Sequence, residues 1–189
     1  MGYIRHMDTS ELKNDLSSPL AKMNVKTAEQ LVPDTSGIFA IFVDDARALP
    51  RFLSGRLMDG SQRPLYVGQA STSLRMRLLE QDLKHRKPST FFRGLGAALG
   101  YRPPSGSLKG RKNQRNYKFS AGDTMRICGW IEDHLLVSWS TVPADQVDDA
   151  EKALIAEWKP PLNTVHNPEP VAELAQLRRT CRLMAGGEG

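Results

Sequence analysis

One carboxylate in the sequence lies where apolar side chains are expected. The residues from Ala144 to Trp158 are predicted to form a helix, and Glu151 lies within its apolar face. The apolar neighbours at helical spacing are Val147, Leu154, Ile155 and Trp158. A carboxylate in such surroundings is costly unless a cation, a metal ion or a hydrogen-bond donor meets it. A partly exposed Glu151 paired with an arginine is the alternative, and this feature alone does not separate the two.

A polar stripe borders the predicted core on the helix that follows the second predicted strand. Arg77, Gln81 and Lys84 recur at helical spacing along one side of this helix, next to two leucines. Periodicity alone favours a simpler interpretation, the solvated face of an amphipathic helix.

Five short motifs follow one another in a fixed order along the chain. They are Gly37-Ile38-Phe39, Tyr66-Val67-Gly68, Ser73-Leu74-Arg75-Met76-Arg77, Glu151 and Pro160-Pro161-Leu162-Asn163. Each motif alone is weak evidence, but their order and spacing make the set specific. Over about Gly37 to Asn163 the sequence therefore resembles the GIY-YIG nuclease superfamily.

The resemblance implies a fold and a set of roles. Members have a three-stranded antiparallel sheet flanked by helices, with two motif tyrosines, a helical arginine, a glutamate and an asparagine around one divalent metal ion. The matching positions here are Tyr66, Arg77, Glu151 and Asn163, with Glu151 as the ligand of Mg²⁺ or Mn²⁺. Such a metal ion would lower the pKa of a bound water, and Arg77 would stabilise the developing negative charge. Taken singly, each residue also has a structural interpretation, as strand core, surface ion pair or turn former.

Two positions depart from the superfamily pattern. The first motif tyrosine, which is the general base in several members, is Phe39 here, and phenylalanine cannot accept a proton. The histidine often found one turn after the helical arginine is replaced by Gln81, while His85 lies one turn further on. Phe39 and His85 are therefore included with the candidate catalytic residues. The general base is left open between Tyr66, His85 and a metal-bound hydroxide.

The positive charge of the chain is concentrated in one segment. The formal net charge is +5, yet no Asp or Glu occurs from Leu83 to Gly122. The candidate nucleic-acid-binding residues are the cations of this segment: Lys84, Arg86, Lys87, Arg93, Arg102, Lys109, Arg111, Lys112, Arg115 and Lys118. Interleaved aromatic residues would suit phosphate neutralisation with base stacking, although Phe91 and Phe92 are more simply explained as core residues.

The elements that must position these residues follow from hydrophobic patterns. Strands are predicted at Gly37–Val43, Pro64–Gly68 and His134–Val142. Helices are predicted at Ser18–Val32, Ala46–Leu57, from Ser71 or Thr72 to His85, Ser89–Leu99, Ser120–Asp133, Ala144–Trp158 and Val171–Met184. A turn is expected at Asp59-Gly60-Ser61, and a loop or partner-ordered arm at Tyr101–Phe119. The predicted class is α+β, a small three-stranded antiparallel sheet flanked by helices, with a basic insertion and extra terminal helices.

Composition and cysteine usage exclude several classes of protein. Of the 189 residues, 40% are hydrophobic and 25% charged, which is typical of a globular domain. No apolar run approaches the roughly 20 residues of a membrane helix, and no secretory signal is visible, so a cytoplasmic protein without a membrane partner is expected. Cys128 and Cys181 have no His or Cys at ligand spacing, so neither zinc nor a disulfide framework is expected. No organic cofactor is expected either.

Residues 1–7 are interpreted as a tag remnant, 8–168 as a nuclease-like domain with the basic insertion 83–122, and 169–189 as a C-terminal helix and tail. The leading hypothesis is a metal-dependent endonuclease that hydrolyses phosphodiester bonds in DNA, with RNA as the alternative substrate. Its rival is a catalytically impaired nucleic-acid-binding module, which Phe39 favours. A protein-interaction domain whose basic arm meets an acidic partner ranks third. Pathway, target and oligomeric state are left open.

Overall fold

The structure, a computed structural model, describes residues 8–58 and 63–187. The tag remnant at 1–7 and the turn at 59–61 lie outside the described residues. Within the described part, one antiparallel sheet carries helices on both of its faces. Its strands are β1 (Met23–Asn24), β2 (Gly37–Val43), β3 (Tyr66–Ala70) and β4 (Leu135–Thr141).

Helices make up much of the remaining described chain. The α-helices are α1 (Thr9–Ser17), α2 (Val25–Leu31), α3 (Arg51–Ser54), α4 (Thr90–Ala98), α5 (Ala121–His134), α6 (Val147–Trp158) and α7 (Ala172–Gly186). A π-helix spans Arg75–Leu83, and a short 3₁₀ helix spans Ala46–Ala48. None of the helices in the described ranges has the length and apolarity that a membrane span requires.

The strands lie side by side in the order β1-β4-β2-β3, so β3 is an edge strand. The predicted α+β class, with a small antiparallel sheet and flanking helices, is confirmed. The sheet has four strands rather than three, because β1 pairs with β4. The predicted helix Ser18–Val32 is therefore wrong in its first part. Asn24 caps the true helix, and its side chain accepts the Thr27 N–H at 2.8 Å, so α2 begins only at Val25.

Helix α1 was not predicted from the sequence. It begins after Asp8, whose side chain accepts the Ser10 N–H at 2.8 Å. Leu12 and Leu16, one turn apart, are buried against the sheet. The hydroxyl of Ser138 in β4 donates to the carbonyl of Leu16 at 2.7 Å, which attaches the end of α1 to the sheet.

The predicted starts of two helices are confirmed by serine caps. Ser89 accepts the Phe92 N–H at 2.9 Å at the start of α4, and Ser120 accepts the Asp123 N–H at 3.1 Å at the start of α5. Helix α6 begins at Val147 rather than at the predicted Ala144, because the residues after Pro143 first form a turn.

The basic loop from Tyr101 to Phe119 contains neither helix nor strand, as predicted. It is nevertheless packed on the domain, because Leu108, Tyr117 and Phe119 are buried in the core. Backbone N–H groups at 106 and 108 donate to carbonyls near the end of α7 at 2.9 and 2.7 Å. The loop and α7 therefore form one surface.

Two motif glycines are required by close packing around the central strand β2. A Cβ on Gly68 would lie 2.4 Å from Cζ of Phe39, which pairs with it across the sheet. A Cβ on Gly37 would lie 2.3 Å from the carbonyl oxygen of Ser140. Because both distances are shorter than van der Waals contact, neither position accepts a side chain. The Phe39 ring therefore lies against the backbone of the edge strand.

Replacing Gly68 by Ala should destabilise the fold by about 1–3 kcal/mol, because the buried Phe39 ring must move. Urea denaturation of the two proteins measures this difference. In a Phe39→Leu background the same glycine substitution should cost less, since the ring is gone. Gly94→Ala is the matched control. Its Cβ would meet no atom within 4 Å, so it should stabilise α4 by about 1 kcal/mol. Equal effects at the two glycines would contradict the packing argument.

Candidate active site

The helix that follows β3 has π-type hydrogen bonding at its end. The N–H of Lys84 bonds to the carbonyl of Leu79, five residues earlier, at 2.9 Å. Its first turn is capped by Ser73, which accepts a backbone N–H at 3.0 Å, and not by Ser71 or Thr72 as predicted. Residues five apart lie on one side of a π-helix, whereas they diverge on an α-helix. This geometry decides which side chains meet Arg77.

Arg77 and Asp82, five residues apart, form a buried ion pair. Asp82 is fully buried and also accepts the hydroxyl of Ser89 at 2.6 Å. Burial raises the pKa of the Asp82 carboxyl, and the nearby guanidinium opposes that rise. Because Asp82 cannot turn toward solvent, it holds the Arg77 guanidinium in one position beside the sheet edge.

Two aromatic residues of the motifs meet this guanidinium. The Nη2 of Arg77 donates a hydrogen bond to the Tyr66 hydroxyl, with 3.5 Å between nitrogen and oxygen. The Arg77 Cζ lies 5.8 Å from the centre of the Phe39 ring, which is 0% exposed and 6.3 Å from the Tyr66 ring. Burial raises the pKa of Tyr66, so its phenol stays protonated near neutral pH. Tyr66 is therefore a poor general base in this state of the site.

Glu151 approaches the edge strand β3 from the face of the sheet opposite to the one on which the helix of Arg77 packs. It lies on α6 among Val147, Leu154, Ile155 and Trp158, which are all buried, while Glu151 itself is half-buried. Burial raises the pKa of Glu151 and Asp148 adds to the rise, whereas the charge of Arg77 and the backbone N–H of Gln69 lower it. Among the described residues no cation lies within ion-pair distance of Glu151, although Arg77 is near enough for its charge to act on the carboxyl.

A polar cleft of about 270 Å³ opens at the end of β3. Arg77 lines it together with two further polar residues of the same region, Gln81 and Lys87. Gln69 also lines the cleft, and its side-chain amide donates to Asp148 at 2.9 Å. The lining of the cleft is therefore polar and includes two cations, Arg77 and Lys87.

Asn163 lies beside β3 but uses its amide for structure. Its Oδ1 accepts the N–H of Val67 at 2.9 Å, and its Nδ2 donates to the carbonyl of Val67 at 2.9 Å. The side chain thus replaces a neighbouring strand at the free edge of the sheet. This arrangement holds β3 in place, and a catalytic role for Asn163 stays a prediction.

His85 lies away from the other candidates. Its ring stacks on Phe92 with the ring centres 3.9 Å apart, and its backbone has a positive φ of 51°. Burial, with the charges of Arg93 and Lys118, lowers the pKa of His85 to about 4. The imidazole is therefore neutral near pH 7. No contact with Arg77 or Glu151 is present among the described residues, so the structure does not bring His85 to them.

The predicted nucleic-acid-binding cations fall into two groups. Three of them have polar partners within the fold, and a fourth is buried. Lys84 and Arg86 form ion pairs with Glu80, Arg93 is 8% exposed, and Arg102 donates to backbone carbonyls. The others are exposed, namely Lys87, Lys109, Arg111, Lys112, Arg115 and Lys118.

The residues of the candidate active site lie within the part of the chain that matches a known family. The family model described as the GIY-YIG catalytic domain matches residues 37–180, more than half of the chain. The protein belongs to the GIY-YIG family. Searches of curated proteins and of solved structures gave no significant match. Membership gives this GIY-YIG protein a nuclease-type function and a nucleic-acid substrate.

GIY-YIG nucleases are generally dependent on a divalent metal ion, and the residues present here fit one. The half-buried carboxylate of Glu151 is a hard oxygen donor without a cation partner among the described residues. In the described ranges no group of three His, Cys, Asp or Glu side chains is placed so that it could hold a metal ion by itself. Water and substrate oxygens would complete the coordination, which is how Mg²⁺ is commonly held at phosphate-transfer sites.

Asp82 is the residue of this GIY-YIG site that sequence reasoning missed. A usable signal exists, because Asp82 follows Leu78 and Leu79 by four and three residues and so lies within an apolar face, as Glu151 does. Its connection with Arg77 was hidden, since the two lie on different sides of an ideal α-helix.

Asp82→Asn should destabilise the protein by about 3–5 kcal/mol, because it leaves the buried Arg77 without a carboxylate. Arg77→Met should be costly for the reciprocal reason. The double variant should be more stable than the sum of the two losses predicts, with a coupling of about 1 kcal/mol or more. Urea denaturation of the four proteins completes the cycle. Additive losses would show that the pair does not hold the guanidinium.

Proposed function

We propose that this protein is a metal-dependent endonuclease that hydrolyses phosphodiester bonds in DNA. The observation that carries the proposal is the placement of Glu151. Its carboxylate is half-buried without a cation partner among the described residues, near a guanidinium that Asp82 holds fixed. A carboxylate kept in such a position is explained by a ligand that binds there during function.

Each residue of the site has a distinct task in this proposal. Glu151 would hold Mg²⁺ or Mn²⁺, whose chemistry is to polarise a phosphate oxygen and to lower the pKa of water. Arg77 would donate hydrogen bonds to the phosphate as negative charge develops, and Asp82 keeps the donor oriented. Tyr66, protonated and close to Arg77, can donate a hydrogen bond but does not take a proton. Asn163 keeps β3 in position beneath them.

The exposed cations of the basic segment would bind the DNA backbone. Lys87 lines the same cleft as Arg77, and the others lie on the loop that packs against α7. Counter-ion release from DNA would make their contribution sensitive to salt and independent of sequence. RNA remains the alternative substrate, because backbone contacts of this kind do not distinguish the two.

A second candidate function is nucleic-acid binding without cleavage. Phe39 favours it, because the ring occupies the position of the usual base and carries no hydroxyl. Cleavage by the wild-type protein decides between the two functions.

Purified protein should nick or cut supercoiled plasmid with Mg²⁺ or Mn²⁺, and EDTA should abolish the cutting.

Glu151→Gln should remove cleavage while DNA binding is retained, because it deletes the anionic ligand and preserves shape. The matched control is Glu157→Gln, an exposed position on the same helix. Cleavage by Glu151→Gln at the wild-type rate would exclude Glu151 as the metal ligand.

Thermal melting of the same proteins tests the environment of Glu151. Its folded-state pKa is raised above the ordinary 4.5, so ionisation costs stability as the pH rises through the folded-state value. Without metal, Glu151→Gln should therefore melt above wild type at neutral pH, and the difference should shrink below about pH 4. Added Mn²⁺ should raise the melting temperatures of wild type and Glu157→Gln but not that of Glu151→Gln.

The basic loop can be tested by neutralising Arg111, Lys112 and Arg115 together as glutamines. DNA binding should weaken for all sequences, and the slope of log affinity against log salt should fall by about one for each phosphate that the loop no longer neutralises. The control is a triple glutamine variant at exposed cations outside the loop, which loses the same charge. Its positions are Lys26, Arg126 and Lys152. If both triples change the slope equally, the effect comes from net charge and not from the loop.

Phe39→Tyr tests whether the site lacks a proton acceptor. The Phe39 ring tip lies over Gly68 of the edge strand, so the new hydroxyl would extend toward the edge that Glu151 approaches. We expect weak wild-type cleavage and a single-turnover rate about 100-fold or more higher in the variant. Melting of both preparations checks stability, since a hydroxyl buried without a partner costs about 1–3 kcal/mol. An unchanged rate in a stable variant would assign the base to another group.

A further inference from the structure

Two arginines near the candidate site lack a carboxylate. Arg93 on α4 is 8% exposed, and Arg178 on α7 is half-buried. Among the described residues, the ionisable groups that act on the two guanidiniums are tyrosines and other arginines, and none is an Asp or Glu. Desolvated cations without a counter-ion are unfavourable, so an anion is the natural missing partner.

Tyr117 of the basic loop joins the two arginines. The Arg93 guanidinium carbon lies 5.9 Å from the centre of the Tyr117 ring, and the Tyr117 hydroxyl donates to the Arg93 carbonyl at 3.4 Å. The same phenol interacts with the thiol of Cys181, which lies one turn after Arg178 on α7. Helices α4 and α7 pack against each other, and Tyr117 acts on the guanidinium of Arg178 as well, so the two arginines lie in one region around Tyr117.

The two cations are close enough to affect each other. Burial lowers the pKa of Arg93, and the charge of Arg178 lowers it further. Burial lowers the pKa of Arg178 as well, and Arg182, on the same helix, adds to that effect. Arg178 is oriented by a hydrogen bond from its Nη1 to the hydroxyl of Thr164 at 3.1 Å.

This cluster adjoins the candidate active site. Phe91, two residues before Arg93 on α4, packs on the Tyr66 ring with the ring centres 5.2 Å apart. Tyr66 also lies near enough to Arg178 to act on the pKa of its guanidinium. Thr164, which orients Arg178, directly follows the Asn163 that holds β3. An anion between Arg93 and Arg178 would thus lie beside the phosphate that Arg77 is proposed to contact.

We propose that Arg93 and Arg178 form a second phosphate-binding site, which holds a backbone phosphate next to the one that is cleaved. Guanidinium groups match phosphate because they donate paired hydrogen bonds to two of its oxygens. The anion site itself depends only on the arginine cluster. Its assignment to a DNA phosphate rests on the proposed function.

Inorganic phosphate is the first probe, with chloride at equal ionic strength as the reference. Phosphate should raise the melting temperature of the full chain by a few degrees. Arg178→Gln should lose most of this shift, whereas Arg179→Gln, an exposed neighbour on α7 with the same loss of charge, should keep it. Arg93→Lys, which retains the charge but loses the paired donors, should also lose it. An equal response of Arg178→Gln and Arg179→Gln, or none in wild type, would overturn the site.

Binding of a short DNA duplex in EDTA is the second probe, since no cleavage occurs there. Arg178→Gln should bind more weakly, with a salt slope lower by about one, and Arg179→Gln should match wild type. Unchanged DNA binding by Arg178→Gln would overturn the assignment to a backbone phosphate. Failure of the proposed nuclease function would appear elsewhere, as absence of EDTA-sensitive plasmid cleavage.

Discussion

The buried ion pair between Arg77 and Asp82 connects the parts of the candidate active site. Asp82 has no exposed surface and is held by Ser89 at the start of α4, so the guanidinium that it binds is fixed relative to two helices. From that position Arg77 contacts Tyr66 and approaches the ring of Phe39. The motif residues come together because one π-helix turns Arg77 and Asp82 to the same side.

Unbalanced charges mark the places where this protein is not optimised for stability alone. Glu151 has a raised pKa and no cation partner among the described residues, while Arg93 and Arg178 lack a carboxylate there. A bound metal ion and phosphate groups would supply the missing charges with the correct signs. In this proposal, one substrate backbone with its metal ion would account both for a carboxylate without a cation and for arginines without a carboxylate.

Much of this arrangement was predictable, and the failures have physical causes. The ordered motifs predicted that Tyr66, Arg77 and Glu151 share one region, and the strand patterns predicted the sheet. Strand β1 was missed, because two residues carry no periodicity and depend on a distant partner, β4. The Arg77–Asp82 pair was missed because the sequence pattern assumed an α-helix.

Other failures concern side-chain orientation. The amide of Asn163 pairs with the backbone of Val67, which is 96 residues away, so its spacing in the motif could not show that both amide groups are engaged. His85 is turned away by its positive φ and its stacking on Phe92. Local sequence indicated a histidine near the helical arginine but not the direction of its ring.

Direct measurement of Mn²⁺ binding tests the central claim, that Glu151 is kept half-buried in order to hold a metal ion. Calorimetric titration at neutral pH should show one Mn²⁺ site in wild type and in the exposed control Glu157→Gln. Glu151→Gln, folded by its melting curve, should show no site over the same concentration range. Equal Mn²⁺ affinity in Glu151→Gln and wild type would contradict the claim.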